Sequence, residues 1–485
     1  MNTLYYGDNL DIMRRYIEEE SVDLVYLDPP FKSNQDYNIL FSEQNGSRAA
    51  AQILAFEDTW EWNQTSASVY QEVVEAGGKV SQAMQSFFTF LGGNDMMAYL
   101  SMMAPRLMEL RKALKPEGSI YLHCDPTASH YLKQLMDAVF GPENFVNEII
   151  WHYRKWPSGK YTFQRNHDVI LFYSRSQTRE RVFNQLYMER AASTLKRFGK
   201  SRIISGHDEE GRRIPSETSE EESEGVRQDD VWDIGRVPPI KQLFPTEKPG
   251  ALLDRIISAS SNKGDLVLDP FCGCGTAIES AEKLSRRWIG IDITHLAVAL
   301  IKHRLRCAFN AKPEYSVVGE PVSLPDACAL AQENRFQFQC WALGLVGARP
   351  SDPKRGADQG IDGKLYFHDD KPGATKLITI SVKSGAIPAN HVRELRGVVE
   401  REKAAMGLLI TLEEPTRPMV REAASGGFYT SPFGNTRHPR IQILTVEELL
   451  EGKGIDCPKT DANVTFKKVK PIRPVAKKSG KLPFG

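Results

Sequence analysis

The sequence lacks long apolar segments and is poor in cysteine. None of its hydrophobic runs approaches the roughly 18 residues that a membrane-spanning helix needs, and its first residues lack the basic and apolar regions of a signal peptide. Seven scattered cysteines form no C-x-x-C pair, so no structural zinc site is predicted. These absences predict a reduced, cytoplasmic protein without membrane contact, whose 485 residues suffice for two or three domains.

The sequence also lacks a net charge: its 62 Lys and Arg residues balance its 62 Asp and Glu residues, so the formal net charge is zero. A neutral total argues against a nucleic-acid-binding protein, but the charges are unevenly distributed. Between Arg154 and Arg202 there are twelve basic and three acidic residues, and residues 467–485 hold seven basic and no acidic ones. Such segments are either solvated surfaces or local basic faces that contact a phosphate backbone. The segment 457–485 is predicted to be a disordered basic tail.

Segments of strand and helix character alternate along residues 1–312. The apolar run 22–27 stops at two prolines, and the runs 265–269 and 288–292 are each followed by a helical pattern. This alternation predicts an α/β fold built on a Rossmann-like, doubly wound parallel sheet. Ligands of such sheets bind outside the carboxyl ends of the strands, so the motifs that follow the three runs are the candidate functional residues.

The first candidate motif is Asp28-Pro29-Pro30-Phe31, directly after a predicted strand. Aspartate and proline also end strands in ordinary turns, so the motif alone is a weak indication of catalysis.

The second candidate motif, D-P-F-C-G-C-G-T, runs from Asp269 to Thr276 between a predicted strand and a predicted helix. It is either a glycine-rich turn capped by Thr276 or a cofactor site. A dinucleotide site is disfavoured, because G-x-G-x-x-G is absent and a carboxylate about 4 Å from a phosphate would repel it by about 4 kcal/mol. The carboxylate favours a cationic ligand, which Gly273 and Gly275 allow the backbone to approach closely. Asp292, at the end of the next predicted strand, is placed to accept ribose hydroxyls.

Together the two motifs resemble those of the S-adenosylmethionine-dependent DNA amino-methyltransferases. Shorter stretches in the same order are also similar to this family, namely Y-G-D-N-L at 6–10, I-I-W at 149–151, N-H-D-V-I-L at 166–171 and T-E-K-P at 246–249. The order is that of the β class, and the resemblance spans residues 1–312. It implies S-adenosylmethionine as the cofactor and double-stranded DNA as the partner, and it leaves a homodimer open. It places the following residues at the cofactor: Asp8, Lys248, Asp269, Pro270, Phe271, Gly273, Gly275, Thr276 and Asp292.

The same resemblance places Asp28, Pro29, Pro30 and Phe31 at the target base. The Asp28 carboxylate and the Pro29 carbonyl would accept the two hydrogens of an exocyclic amine, and Phe31 would stack on a base flipped out of the duplex. The D-P-P-F form favours N6 of adenine, with N4 of cytosine as the alternative. Methylation of cytosine C5 would require a cysteine nucleophile, and the chain has no Pro-Cys pair. A non-catalytic DNA-binding protein on this scaffold is a third interpretation.

Two insertions are predicted to interrupt the sheet. One, at about 45–94, is rich in aromatic residues, and the other, at about 177–244, takes the place of the family's target-recognition region. Arginines of the second insertion are candidates for DNA contacts, although phosphate contact or solvation is a more ordinary role for each than base reading. They are Arg179, Arg181, Arg190, Arg197 and Arg202. Pro105 is expected to kink or split a helix over residues 95–114.

A third motif, G-A-D-Q-G-I-D-G at 356–363, precedes an apolar run at 376–383. A β-hairpin with a Gly/Asp turn explains this spacing, but the combination also resembles Mrr-type restriction-endonuclease-like domains. The resemblance covers residues 325–456 and implies a smaller α/β domain. In that family, acidic residues at the positions of Asp362 and Ser381 bind Mg²⁺, and a lysine like Lys383 orients the attacking water.

The chain departs from that pattern at Ser381, since a serine hydroxyl is a weak ligand for a hard cation. Gln337 and Gln339 also stand where the family often has a glutamate. Two alternatives therefore remain for this domain: a nuclease, which would make the chain a bifunctional restriction–modification enzyme, or a DNA-binding module that has lost cleavage.

Overall fold

The structure is a computed structural model. It describes residues 1–30, 61–155, 161–177, 181–204, 206, 212, 214, 217–238, 242, 247–309, 313–351, 360–368, 375–385, 387–432 and 435–458. Several predicted features lie outside these residues, namely Phe31, Arg179, residues 45–60 of the aromatic-rich insertion, residues 356–359 of the third motif and nearly all of the basic tail. Within the described ranges, no helix is both long and apolar enough to cross a membrane.

The described residues form twenty β-strands. They are β1 (Asn2–Tyr6), β2 (Val22–Leu27), β3 (Leu114–Cys124), β4 (Phe145–His152), β5 (His167–Ser174), β6 (Tyr187–Met188), β7 (Ser201–Ile204), β8 (Glu217–Glu222), β9 (Val226–Arg227), β10 (Val231–Asp233), β11 (Leu266–Asp269), β12 (Arg287–Asp292), β13 (Tyr315–Val318), β14 (Arg349–Pro350), β15 (Gly363–His368), β16 (Thr375–Lys383), β17 (Met406–Thr411), β18 (Phe428–Thr430), β19 (Arg437–Pro439) and β20 (Ile441–Thr445).

The α-helices of the same residues are α1 (Asn9–Tyr16), α2 (Gln64–Glu75), α3 (Gly78–Leu91), α4 (Asp95–Ala113), α5 (Ser129–Phe140), α6 (Ala192–Phe198), α7 (Gly250–Ser260), α8 (Thr276–Lys283), α9 (His295–Ala308), α10 (Leu324–Glu333), α11 (Arg335–Leu345), α12 (Asn390–Arg401), α13 (Arg417–Ser425) and α14 (Val446–Leu450).

Nine strands form one sheet in the order β10-β4-β5-β3-β2-β11-β12-β1-β13. Every neighbouring pair is parallel except the two that β5 makes with β3 and β4. The predicted doubly wound, parallel-rich α/β sheet is therefore confirmed. The sheet also includes two strands from outside the segments that were predicted to form it. β13 lies past residue 312, and β10 comes from the predicted insertion at 177–244 yet pairs with β4.

Apolar clusters cover both faces of this sheet, as the side chains of β2, which point alternately to the two faces, show. Val25 and Leu27 are buried in one apolar cluster together with side chains of α1 to α5, whereas Leu24 and Tyr26 are buried in a second cluster with α7, α8 and α9. A strand that is buried on both faces has a continuous run of apolar residues, which explains why β2 could be predicted from the sequence.

The described part of the aromatic-rich insertion consists of α2 and α3. Their buried side chains Val73, Met84 and Phe87 join the same apolar cluster as α4 and α5. α4 runs through Pro105 without being split, so of the two expected effects of this proline the split is wrong. Proline inside a helix costs about 3 kcal/mol, and burial along almost the whole of α4 offsets that cost.

A second, five-stranded sheet, in the order β14-β15-β16-β17-β20, forms the predicted smaller α/β unit. Apolar side chains of α10, α11 and α14 cover one face, and those of α12 and α13 cover the other. The unit contacts the first sheet through α9 and α11. The backbone N–H of His295 donates to Oε1 of Gln337 at 3.1 Å, and the His295 ring stacks on Tyr6 at 3.7 Å between ring centroids.

Candidate active site

Four aspartates lie at one edge of the nine-stranded sheet. Asp8, Asp28, Asp269 and Asp292 follow or end β1, β2, β11 and β12, which are neighbouring parallel strands. Because parallel strands present their carboxyl ends at the same edge, the sheet places these side chains together.

Asp28 has one oxygen engaged and one free of any hydrogen bond. Its Oδ2 forms an ion pair with Nζ of Lys248, and both side chains are largely buried, at 18% and 14% exposure. Its Oδ1 is buried and has no hydrogen-bond partner among the described residues. The rigid Pro29-Pro30 pair follows, with Pro29 buried. The result is a carboxylate oriented by a lysine, with one acceptor left open.

Lys248 is held in place by its neighbour Glu247. Nη2 of Arg304 in α9 is 2.5 Å from Oε1 of Glu247, and Nη1 of Arg304 is 2.6 Å from Oε2 of Glu279 in α8. The Arg304 side chain is only 5% exposed. A guanidinium shared by two carboxylates thus ties the Lys248 segment to the helices behind the second motif.

The second motif forms a loop between β11 and α8, in which two glycines have left-handed backbone conformations. Gly273 has a φ of +48° and Gly275 a φ of +76°, a backbone region that favours glycine. A Cβ on Gly275 would lie 2.7 Å from Cγ1 of Ile301, whereas a Cβ on Gly273 would meet open space. Gly275, not Thr276, is the N-cap residue of α8, so the predicted cap at Thr276 is wrong by one position.

The two cysteines of this loop are packing residues. Cys272 and Cys274 are each 5% exposed. Burial raises the pKa of the Cys272 thiol well above its usual value and that of the Cys274 thiol to about 11. Thiols kept protonated in this way are poor nucleophiles.

Asp269 and Asp292 are carboxyl groups that are costly to ionise. Burial raises the pKa of Asp269 well above its usual range, although the Phe271 N–H donates to its Oδ1 at 3.1 Å. Burial also raises the pKa of Asp292 to about 6, against hydrogen bonds from Thr294 and the Gly273 N–H. A cation or a hydrogen-bond donor placed at this edge would relieve that cost.

Asp8 caps α1 by accepting from the Leu10 N–H at 2.9 Å, and its Oδ2 pairs with Nη2 of Arg106 at 2.7 Å. The sequence did not identify Asn9, which donates to the Pro270 carbonyl at 2.8 Å and accepts from Arg106 at 2.6 Å. Asn9 therefore joins the start of the chain to the second motif. Its place in the Y-G-D-N-L stretch at 6–10 was the signal for it.

A second group that the sequence missed lies behind Asp28. His123, at the end of β3, is fully buried and bonds Tyr26 through Nδ1 and Asp168 through Nε2. Tyr153 donates to the other oxygen of Asp168 at 2.8 Å. Asp168 belongs to a stretch that resembled the family, but nothing in the sequence linked it to His123.

Four of the five arginines predicted as DNA contacts lie in the described residues, and each has a local partner. Nη1 of Arg190 donates to the Ser201 carbonyl, and Nη1 of Arg202 pairs with Glu221. Arg181 and Arg197 lie over the rings of Phe172 and Phe198. Arg197 and Arg202 are exposed.

In the smaller unit, Asp362 is surrounded by hydrogen-bond donors. Its Oδ2 accepts from the Ser381 hydroxyl at 3.0 Å and from the Val382 N–H at 2.7 Å, and Nζ of Lys383 is 3.5 Å away. Nε2 of Gln339 donates to its Oδ1 at 3.3 Å. The described residues contain no group of three or more His, Cys, Asp or Glu that could hold a metal ion. A single carboxylate with its oxygens already occupied does not fit Mg²⁺, which the sequence had offered for this site.

Comparison with known proteins gives two family matches. A model of N6/N4 type described as DNA methylase matches residues 22–303, and one described as NACHT-associated inactive Restriction Endonuclease 1 matches residues 336–451. The type II methyltransferase M.HpaI of Haemophilus parainfluenzae is 26% identical over 299 residues, which are 61% of this chain and 71% of that protein. M.EcaI of Enterobacter cloacae is 25% identical over 360 residues, an alignment that covers 62% of this chain and 69% of that protein. Among solved structures, the cytosine-N4-specific PvuII DNA methyltransferase is 16% identical, covers 62% of this chain and 85% of its own, and has a TM-score of 0.36.

The parallel-rich sheet, the left-handed glycine loop and the family match together define an S-adenosylmethionine-dependent methyltransferase. More than half of the chain lies within the match, so the protein belongs to the DNA methylase family whose members modify N6 or N4 amino groups.

Proposed function

We propose that this chain transfers a methyl group from S-adenosylmethionine to N6 of adenine in double-stranded DNA. The observation that supports this most directly is the buried, unpartnered Oδ1 of Asp28. Leaving a buried acceptor unsatisfied costs about 1–3 kcal/mol, a cost that is repaid if a substrate N–H occupies it. Lys248 holds the other oxygen and so fixes the direction in which Oδ1 points.

The target amine is a weak nucleophile because its lone pair is delocalised into the ring. In the proposed complex its two hydrogens are donated to Oδ1 of Asp28 and to the Pro29 carbonyl. These acceptors draw the nitrogen toward sp³ geometry and direct its lone pair at the methyl group. The two prolines keep the carbonyl rigid, and Phe31 supplies the ring on which the flipped base stacks. The D-P-P-F form of the motif is the reason for preferring adenine to cytosine.

The cofactor supplies an electrophilic methyl group on a sulfonium ion, and the second motif provides its pocket in this proposal. Asp292 accepts from the ribose hydroxyls, and the open space at Gly273 lets the backbone approach the ligand. The carboxyl groups of Asp269 and Asp292, which are costly to ionise, gain from a nearby cation. The remaining cofactor residues of the proposal are Asp8, Pro270, Phe271, Gly275 and Thr276. Lys248, which the sequence assigned to the cofactor, is proposed instead to orient Asp28.

For the smaller unit we propose DNA contact without cleavage. Among the described residues, the donors around Asp362 and the serine at 381 leave no pair of acidic ligands for a divalent cation. The match to a family described as inactive restriction endonuclease supports the same proposal. Arg190, Arg197 and Arg202 are proposed, with Arg181, as DNA contacts of the target-recognition region.

The test is expression of the full-length chain in a host that lacks DNA methylation, followed by single-molecule sequencing of plasmid DNA. We expect N6-methyladenine in one discrete sequence motif, and no signal from Asp28→Ala. The matched control Asp11→Ala removes an exposed aspartate of α1 that pairs only with Arg15 on the surface, and it should methylate normally. Unmodified DNA from the unaltered chain would refute the proposal, and N4-methylcytosine would refute the choice of base while keeping the reaction class.

A further inference from the structure

A buried line of hydrogen bonds lies next to Asp28 in the sheet. His123 Nδ1 lies 4.0 Å from the unpartnered Oδ1 of Asp28 and 3.1 Å from the hydroxyl of Tyr26. On the other side of the ring, His123 Nε2 lies 3.3 Å from Oδ2 of Asp168, whose second oxygen accepts from Tyr153. The His123 side chain is 0% exposed, so these groups interact in a dry, low-dielectric environment.

The partners of His123 decide its tautomer. A carboxylate only accepts, so Nε2 carries the hydrogen and donates it to Asp168. Nδ1 then holds the lone pair and accepts from Tyr26. The lone pair of His123 Nδ1 is therefore hydrogen-bonded to Tyr26, and Oδ1 of Asp28, the oxygen that the proposed function assigns to the target amine, lies 4.0 Å from the same nitrogen.

The methyl-transfer reaction produces a proton that has to leave the methylated amine. We propose, building on the function proposed above, that His123 is the acceptor of this proton through Asp28 and Tyr26. The N6–H proton passes to Oδ1 of Asp28 and from there to the Tyr26 hydroxyl, which gives its own hydrogen to Nδ1 of His123, the nitrogen to which it is already hydrogen-bonded, while Asp168 holds the resulting imidazolium. His123 acts through Asp28 and does not touch the base.

The atoms and charges of this step balance. The N6–CH₃ bond forms as the S–CH₃ bond of the cofactor breaks, which leaves neutral S-adenosylhomocysteine and a positively charged amine. The N6–H bond then breaks, its electron pair returns to nitrogen, and the proton resides on His123. After the methylated base has left, the proton returns through Tyr26 and Asp28 to water, and the Nε2–H tautomer is restored.

The groups that face His123 suit a transient positive charge. From β2 these are Tyr26 and Asp28, and from β5 Asp168. From β4, Trp151 presents its ring at 87° to the imidazole, 5.4 Å away between centroids. Lys248 is one ion pair further, on the far oxygen of Asp28. Burial alone would raise the pKa of Asp168, but hydrogen bonds from His123 and Tyr153 lower it to about 2, so this carboxylate stays charged.

The experiment measures single-turnover methylation by the full-length His123→Asn variant on a DNA duplex containing the target motif. General-base assistance is worth about 10²–10⁴-fold, so we expect the rate to fall by at least about 100-fold while the affinities for DNA and S-adenosylhomocysteine change little. The matched control is His438→Asn, which breaks another His–Asp pair, His438 with Asp456 at 2.8 Å, in the smaller unit. This variant should methylate at the original rate.

A second variant separates proton transfer from loss of packing. His123→Ala leaves a cavity of imidazole size beside Asp28, and added imidazoles should restore methylation with a rate that rises with their basicity. Asp168→Asn, which keeps the imidazole but removes its counter-charge, should also slow the reaction. Unchanged rates in His123→Asn, or rescue that is independent of imidazole pKa, would overturn the relay and leave the proposed function standing. Absence of methylation by the unaltered chain would overturn both.

Discussion

The raised pKa of Asp292 predicts that cofactor affinity depends on pH. The carboxyl group accepts from Gly273 and Thr294, yet burial raises its pKa to about 6. Ribose hydroxyls are hydrogen-bond donors and prefer the ionised carboxylate to the protonated acid. A ligand that needs the charged form binds less tightly wherever the free protein holds the proton, so affinity should rise with pH through this range.

The magnitude follows from the fraction ionised. With a pKa of about 6, roughly one tenth of Asp292 is charged at about pH 5 and nearly all of it at about pH 7.5. The dissociation constant of S-adenosylhomocysteine should therefore fall about 10-fold between these values, or about 1.4 kcal/mol. The stability of the ligand-free protein has the opposite dependence on pH. A carboxyl pKa raised by folding makes the free energy of unfolding decrease as pH rises from about 4 to about 6.

Calorimetric titration of the full-length chain with S-adenosylhomocysteine at several pH values tests this prediction. In Asp292→Asn the affinity should be weaker and nearly independent of pH. A flat profile for the unaltered chain would refute the reasoning. A slope that persists in Asp292→Asn would instead assign the titration to Asp269, whose pKa burial also raises.

Three further outcomes are expected. Arg304→Met removes the buried guanidinium that two partly buried carboxylates share and should lower the free energy of unfolding by up to about 3 kcal/mol, whereas exposed Arg306→Met should change it little. Equal effects in denaturant titrations would contradict the role of Arg304. Gly275→Ala combines a φ of +76° with a 2.7 Å contact to α9 and should cost about 1–3 kcal/mol and weaken cofactor binding, while Gly454→Ala, which meets open space, serves as the unaffected control in thermal melts. Incubation with unmethylated DNA and Mg²⁺ should leave the DNA uncut on gels, and cutting that disappears in Lys383→Ala would show an active nuclease.

The edge of the sheet was predictable because strand ends carry local signals. Asp28, Asp269 and Asp292 each follow a short apolar run, and parallel pairing brings such ends together whatever lies between them. Pro105 shows where local signals mislead. Its cost to α4 is a property of the residue, but the burial that offsets it comes from helices that the sequence places elsewhere.

The partners of the site residues were less predictable, because they come from distant parts of the chain. Lys248 reaches Asp28 across 220 positions, and His123 meets Asp168 across 45. The spacing of residues in the sequence does not predict such contacts, since each contact depends on the strand order of the folded sheet. Asp362 is an intermediate case. Ser381 indicated a weakened metal site from the sequence, but the extra donors from Val382 and Gln339 became visible only in the fold.

The position of β1 has a consequence for synthesis of the chain. Its two partners are β12 and β13, so Tyr6 pairs with Asp292 and Tyr5 with Val318. At about 5–20 residues per second, the first strand waits on the order of 15–60 s on the ribosome before both neighbours exist. During that time its backbone donors and acceptors are open to wrong pairing. β1 is therefore secured only together with the last strands of the sheet, and the methylase cannot assemble its cofactor edge until β12 has emerged.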